Sequence, residues 1–216
     1  YKGYVIKEYF VNYSMHNSDL TVDQRTNSVT YHQSKAEPWR VTIVDTGEAT
    51  MTGGRLKRVA HHLTPGESFC LTYGDGVADI DIRAEIDFHK QHGKQATLAA
   101  VIPPGRYGAL QLTGETVEKF IEKPPGDNAW INGGFFIFRN EIFDNIKPGD
   151  ELVEAPFQRL IDADQLMAFR HEGFWRPMDT LKDKQVLEDL VDKGTMPWLI
   201  NGALAAAPDD AARKIG

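Results

Sequence analysis

The chain has 216 residues, 41% hydrophobic and 25% charged, with a formal net charge of −7. That size and composition predict a globular fold with a real core. The acidic balance excludes bulk nucleic-acid binding, which needs a basic footprint, but leaves room for a phosphorylated small molecule held by a few local cations. No apolar run approaches the ~20 residues of a membrane span, and no signal peptide is visible. The single cysteine, Cys70, rules out an internal disulfide and reads as a buried, inert thiol, which fits a reducing cytoplasm.

Val5, Ile6, Tyr9, Phe10 and Tyr13 fall at helical spacing and predict an amphipathic helix over residues 4–16. Leu20 and Val22, then Val29 and Tyr31, alternate with polar residues across Arg25-Thr26-Asn27-Ser28, which predicts a hairpin. Val41-Thr42-Ile43-Val44 reads as a strand. In Met51-Thr52-Gly53-Gly54-Arg55, Thr52 can cap a helix starting near Gly53. Paired glycines at a helix start let a ligand approach unpaired amides, and the dipole there favours anions. An ordinary capped helix with a solvated basic face (Arg55, Lys57, Arg58) explains the same residues equally well.

The stretch Phe69-Cys70-Leu71-Thr72-Tyr73-Gly74-Asp75-Gly76 organises the rest. Its apolar run predicts a central buried strand over 68–73, and Gly-Asp-Gly a tight exit from its carboxyl end. Ligands of open α/β sheets bind outside such strand ends. Asp75 is then either a bare carboxylate suited to Mg²⁺ or a turn residue bonding its own backbone. Asp79 or Asp81 caps a helix that runs to His92 and ends at Gly93. His89 and His92 lack metal-ligand spacing and read as surface or rim residues. Thr97 to Ile102 is a second buried strand, and the strand–helix–strand order implies parallel pairing.

Two strands follow near 109–112 and 117–121, turning at Gly114, and Glu122-Lys123-Pro124-Pro125 closes them. Ile131 to Phe138 is a strongly apolar strand with glycines at its start. Short helices are predicted over 140–146 and 152–162, a strand over 166–169, a loop over 174–180, and a helix over 181–192 capped by Thr180. The Ala-rich stretch from Gly202 reads as a tail. Two loop aspartates, Asp75 and Asp179, with isolated cations at Arg55 and Lys123, suit Mg²⁺-assisted chemistry on phosphates.

Five motifs in order carry a resemblance: Thr52-Gly53-Gly54-Arg55, Tyr73-Gly74-Asp75-Gly76, Glu122-Lys123-Pro124, Ile131-Asn132-Gly133-Gly134 and Phe174-Trp175-Arg176-Pro177-Met178-Asp179-Thr180. Together with Pro103-Pro104-Gly105-Arg106-Tyr107-Gly108, they resemble the sugar-phosphate nucleotidylyltransferase family, in its glucose-1-phosphate cytidylyltransferase branch, from Tyr1 to about Trp198. The resemblance implies an α/β fold: a Rossmann-like, mostly parallel central sheet flanked by helices, with small β additions. It implies a single nucleotidylyltransferase domain over 1–200, incomplete at the amino terminus, and a tail over 201–216. The family's glycine-rich G-x-G-T-R loop has no counterpart in the sequence, so the chain is expected to be an amino-terminally truncated copy.

What the resemblance implies for function is transfer of the cytidylyl group of CTP to glucose 1-phosphate, giving CDP-glucose and pyrophosphate. Asp75 and Asp179 would hold Mg²⁺, and Lys123 would neutralise the sugar phosphate. Thr50, Thr52, Gly53, Arg55 and Gly74 would border the nucleotide. Tyr107, Gly108, Glu122, Asn132 and Gly133 would line the sugar-phosphate pocket, and Arg176 is a weaker phosphate candidate. Also implied are a homo-oligomer, a cytoplasmic location without membrane or nucleic-acid partners, and a role supplying bacterial surface polysaccharide. Two alternatives stay open. One is a non-catalytic nucleotide-sugar-binding relative. The other is a metal-dependent glycosyltransferase, whose usual Asp-x-Asp is lacking in Tyr73-Gly74-Asp75-Gly76-Val77.

Overall fold

The computed structural model describes residues 2–105, 109–113, 115–121 and 130–199. Its organising element is a four-stranded sheet in the order β3-β8-β5-β9, formed by β3 (Phe69–Thr72), β8 (Ile131–Phe138), β5 (Ala96–Val101) and β9 (Leu166–His171). β8 runs antiparallel to both of its neighbours, while β5 and β9 are parallel. Three of the four strands therefore share one direction, as the α/β reading expects. The strands β3 and β5 do not pair directly, contrary to expectation; β8 lies between them. With eight residues, apolar on both faces, β8 gains most from a place where both faces are covered.

One face of the sheet carries the main core. Phe136 and Phe138 of β8 pack with Leu56 of α2 (Thr52–Val59), with Ile142 and Ile146, and with Leu152, Phe157 and Leu160 at or near α4 (Ala155–Asp162). A 3₁₀ turn over Asn140–Asn145 brings Ile142 inward. The other face is covered by α3 (Ile82–His92), which the Asp81 side chain caps through the Ala84 amide at 2.9 Å and left-handed Gly93 terminates.

Three further pairs of strands stand outside this sheet: β1 (Ser18–Asp23) with β2 (Ser28–Ser34), β6 (Ala109–Thr113) with β7 (Thr116–Ile121), and β4 (Gly76–Ala78) with β10 (Trp175–Pro177). The first helix, α1 (Gly3–His16), packs lightly against β1 and has no buried residue. The last helix, α5 (Leu181–Asp192), opens on a capping box between Thr180 and Asp183.

The structure corrects several expectations. Residues 41–44 form no strand, and Val41 is exposed; an extended segment becomes a strand only when a neighbour takes its backbone groups. β3 is at the sheet edge rather than its centre, with alternate residues turned outward, so Cys70 is exposed rather than buried. His89 is not at the surface but 1% exposed. Its ring can be buried because Nδ1 lies 2.8 Å from Thr97 Oγ1 and Nε2 3.2 Å from Ser68 Oγ. The expected loop at 174–180 contains β10, whose partner β4 is too short to show a period in sequence.

Candidate functional site

The site is built on a bulge in β8. Leu98 of β5 faces Phe136, but two residues on, Ala100 faces Asn132 rather than Gly134, so the register slips at the two glycines. Gly134 takes a φ of +82°, which only glycine adopts without strain. A Cβ on Gly133 would lie 2.8 Å from Val101 Cγ1 and 3.0 Å from the Ala99 carbonyl oxygen. The Asn132 side-chain oxygen accepts from the Gly134 amide at 2.9 Å and steadies the bulge. The glycines thus permit a bend that turns Asn132 out to an exposed position at the end of the sheet.

The bulge also anchors the second half of the site. Trp175 donates from its indole Nε1 to the Gly133 carbonyl at 2.8 Å. That fixes β10, whose register with β4 sets Trp175 opposite Ala78, Arg176 opposite Val77 and Pro177 opposite Gly76. Beyond the ladder, the Met178 amide donates to the Asp75 carbonyl at 2.7 Å. Asp179 follows Met178 directly, and both Asp75 and Asp179 are exposed. The backbones that carry these two aspartates, 104 positions apart in sequence, are thus brought together at one end of a short antiparallel ribbon, Asp75 opposite Met178 and Asp179 one residue further on. No side chain crowds them from Gly74, above whose Cα nothing stands within 4 Å of a Cβ position.

Tyr73, just before the ribbon, is tied to the β8 bulge. Its amide donates to the Gly134 carbonyl at 3.1 Å, and burial, then the Glu151 and Asp75 carboxylates, push its hydroxyl above the usual phenol range. Glu151 in turn closes the start of α2, accepting from the Thr52 hydroxyl and, at 3.3 Å, from the Thr52 amide. The expectation that Thr52 itself caps this helix is corrected: the N-cap position is Met51, without a side-chain bond, and the Thr52 hydroxyl instead takes the Leu152 amide at 3.1 Å. A Cβ on Gly53 would meet the Asp150 carbonyl at 2.7 Å, so the close approach that requires glycine there is made by the protein's own backbone. Arg55 donates to Thr46 Oγ1 and to the Glu48 carbonyl, each at 2.8 Å, tying the 46–48 loop to the helix. Thr50 sits in that same loop, its Oγ1 3.0 Å from a Cβ position on Gly47.

Of the expected site residues, Asp75, Asp179, Gly74, Asn132 and Gly133 are brought together, and Arg176 lies on the same ribbon. Thr50, Thr52, Gly53 and Arg55 form a second group at the start of α2, where Glu151 closes the helix end. Tyr107, Gly108, Glu122 and Lys123 lie outside the described residues. Sequence reasoning missed Trp175 as an anchor and Glu151 altogether. The tryptophan in Phe174-Trp175-Arg176-Pro177 was the available signal for the first; nothing marked the second. Among the described residues no three His, Cys, Asp or Glu side chains cluster tightly enough to hold a metal unaided. Two carboxylates without a third suit a hard cation that takes its remaining ligands from substrate phosphates and water.

A doubly covered α/β sheet with loops opening beyond its strand ends is an architecture that takes its ligands there. The model of the nucleotidyl transferase family matches residues 20–183, and the chain belongs to that family. Within it, the chain is 55% identical over 199 residues to the glucose-1-phosphate cytidylyltransferases of Salmonella typhimurium and Salmonella typhi, covering 92% of this chain and 77% of each of theirs. It is 33% identical over 140 residues to the mannose-1-phosphate guanylyltransferase catalytic subunit beta of Dictyostelium discoideum, covering 61% of this chain and 38% of that one. The fold is shared with a solved Bacillus anthracis protein assigned as a glucose-1-phosphate thymidylyltransferase, in complex with a sucrose, at a TM-score of 0.51 and 15% identity, over 67% of this chain and 62% of that one.

Proposed function

We propose that the protein transfers the cytidylyl group of CTP to glucose 1-phosphate, releasing pyrophosphate and forming CDP-glucose. The observation that supports this reading is identity of 55% to glucose-1-phosphate cytidylyltransferases, together with a ribbon whose Met178 amide bonds the Asp75 carbonyl next to Asp179 in sequence. A sugar-phosphate oxygen attacks the α-phosphorus of CTP; that P–O bond forms while the α–β bridging bond breaks, and pyrophosphate leaves with the electron pair. No protein nucleophile takes part, so positioning and charge neutralisation supply the rate.

Asp75 and Asp179 hold a divalent cation, Mg²⁺, which when bound offsets phosphate charge. Gly74 leaves room for the nucleotide beside Asp75, and Thr50, Thr52, Gly53 and Arg55 shape the nucleotide side. Asn132 and Gly133, with Tyr107, Gly108, Glu122 and Lys123, receive the sugar phosphate, Lys123 supplying the cation for it. A cytoplasmic location goes with this reading; separately, no helix among the described residues is long and apolar enough to cross a membrane. Assembly with further copies of the chain is supported by exposed Tyr4, Val5, Ile6, Tyr9 and Val11 on α1, a concentration of apolar surface that monomers seldom leave in water.

Pyrophosphate release, measured with glucose 1-phosphate and each of the four nucleoside triphosphates in turn, tests the reading. Release with CTP well above that with UTP, GTP or ATP is expected. Release with none of the four, or a clear preference for another base, would remove the proposal.

A further inference from the structure

The β4–β10 ribbon has only three paired residues, too few to hold its own register. Yet register decides which residue of β10 stands opposite Asp75, now Met178 with Asp179 next in sequence, because a slip of one residue turns every side chain to the other face. The Asp75 end is open and exposed. Towards the opposite end the Trp175 indole holds β10 to the Gly133 carbonyl, and a second contact lies just beyond it. There Asp79 Oδ1 lies 2.8 Å from His171 Nε2, on side chains 30% and 11% exposed. The Asp79 amide donates to the Phe174 carbonyl at 3.1 Å, and His171 Nε2 lies 3.2 Å from that same oxygen. His171 is the last residue of β9, so this contact ties the ribbon to the main sheet.

Gly173 is part of the arrangement. A Cβ there would fall within contact of Asp79 Oδ1 and 2.6 Å from His171 Cε1, so any other residue would drive the pair apart. Asp79 Oδ1 is buried and makes no well-aligned hydrogen bond, which leaves the approach of His171 as its compensation. Nothing about phosphate chemistry requires an aspartate or a histidine at these two positions, since neither adjoins Asp75 or Asp179 in sequence.

We propose that Asp79 and His171, packed over Gly173, are positioning residues: they fix the register of the β4–β10 ribbon and so hold Asp75 and Asp179 where one cation can meet both. The second half of this inference rests on the cation-site reading above; the first half does not. Hydrogen exchange at the Met178 amide reads the register alone, because that amide bonds Asp75 at the ribbon's far end. The dependence of pyrophosphate release on Mg²⁺ concentration reads the consequence.

In Asp79→Ala and His171→Ala, the Met178 amide loses protection while the Phe136 and Phe138 amides of β8 keep theirs. The KM for Mg²⁺ rises about tenfold or more, as loss of a group that orients a metal ligand typically gives, while the KM for glucose 1-phosphate stays near its original value. His171→Gln, whose side-chain amide reaches the same oxygens, restores much of both. Unchanged Met178 exchange in both alanine variants overturns the clamp. Altered exchange with an unchanged KM for Mg²⁺ overturns its link to the two aspartates. A parent protein that releases no pyrophosphate at any Mg²⁺ concentration removes the cation-site reading, and the exchange result alone then decides the clamp.

Discussion

Replacing Gly133 by alanine places a methyl group where the structure has no room. Its Cβ would stand 2.8 Å from Val101 Cγ1 and 3.0 Å from the Ala99 carbonyl oxygen. The first neighbour is a buried side chain and the second is backbone, so neither retreats cheaply. Overpacking of this kind costs ~1–3 kcal/mol. In a domain of this size each kcal/mol lowers Tm by ~2–4 °C, so a fall of roughly 2–12 °C is expected in a thermal melt followed by circular dichroism. The bulge also carries the Trp175 anchor, so turnover falls further than stability accounts for. Val101→Ala removes the nearer contact and leaves the backbone one, so the double variant should lose less than the sum of the singles, by about 0.5–3 kcal/mol. Gly76→Ala is the control: its nearest neighbour would be the Gly133 carbonyl at 3.7 Å, an ordinary contact, and its Tm should hardly move. A Gly133→Ala protein that melts with the parent would refute the packing account of the bulge.

Further expectations follow from single groups. Glu85 is 1% exposed, and burial pushes its carboxyl up to about 7. A carboxyl whose folded value is raised costs stability as pH climbs from its unfolded value, near 4.5, to its folded one. Glu85→Gln should therefore gain on the parent across that window, by about 3 kcal/mol at most above pH 7; a difference in urea stability that is flat between pH 4.5 and 8 contradicts this. His89 has the opposite sign: burial, then neighbouring His92 and Arg139, push it down to about 4, so its neutral ring contributes stability above pH 6.5 that is lost as pH falls through 4. In His89→Gln, acid unfolding should shift to lower pH, and an unshifted midpoint would count against the buried-ring account. Thr180→Ala removes the capping box of α5 and should cost about 1 kcal/mol in denaturant titration.

The helices and the main strands were legible because each carries a strong local signal. Asp81 and Gly93 bracket α3, Thr180 opens α5, and the apolar run of β8 fits no other element. Pairing was less legible. β8 inserts between β3 and β5, and nothing local to either strand announces a third strand with a later place in the chain. The strand expected at 41–44 has strand-like residues but no partner among the described residues, and pairing rather than propensity decides. The motif glycines have structural reasons of their own. Gly134 and Gly133 serve a bulge, and Gly53 serves packing against Asp150. The approach of the Asp75 backbone to the segment carrying Asp179 rests on a three-residue ribbon, too short for periodicity to reveal. Motif order alone suggested that these two segments belong together; the backbone bond from Met178 to Asp75 joins them.

The account stands on the two aspartates acting as one unit around a cation. Pyrophosphate release from CTP and glucose 1-phosphate, titrated with Mg²⁺ in Asp75→Asn, Asp179→Asn and the double variant, tests that unit directly. Each single change should lower turnover by about 10²–10³, as loss of one charge-stabilising group does, and the double should fall little further, because partners in a unit are not additive. Losses that multiply in the double variant, or either single variant turning over at the parent rate, would contradict it.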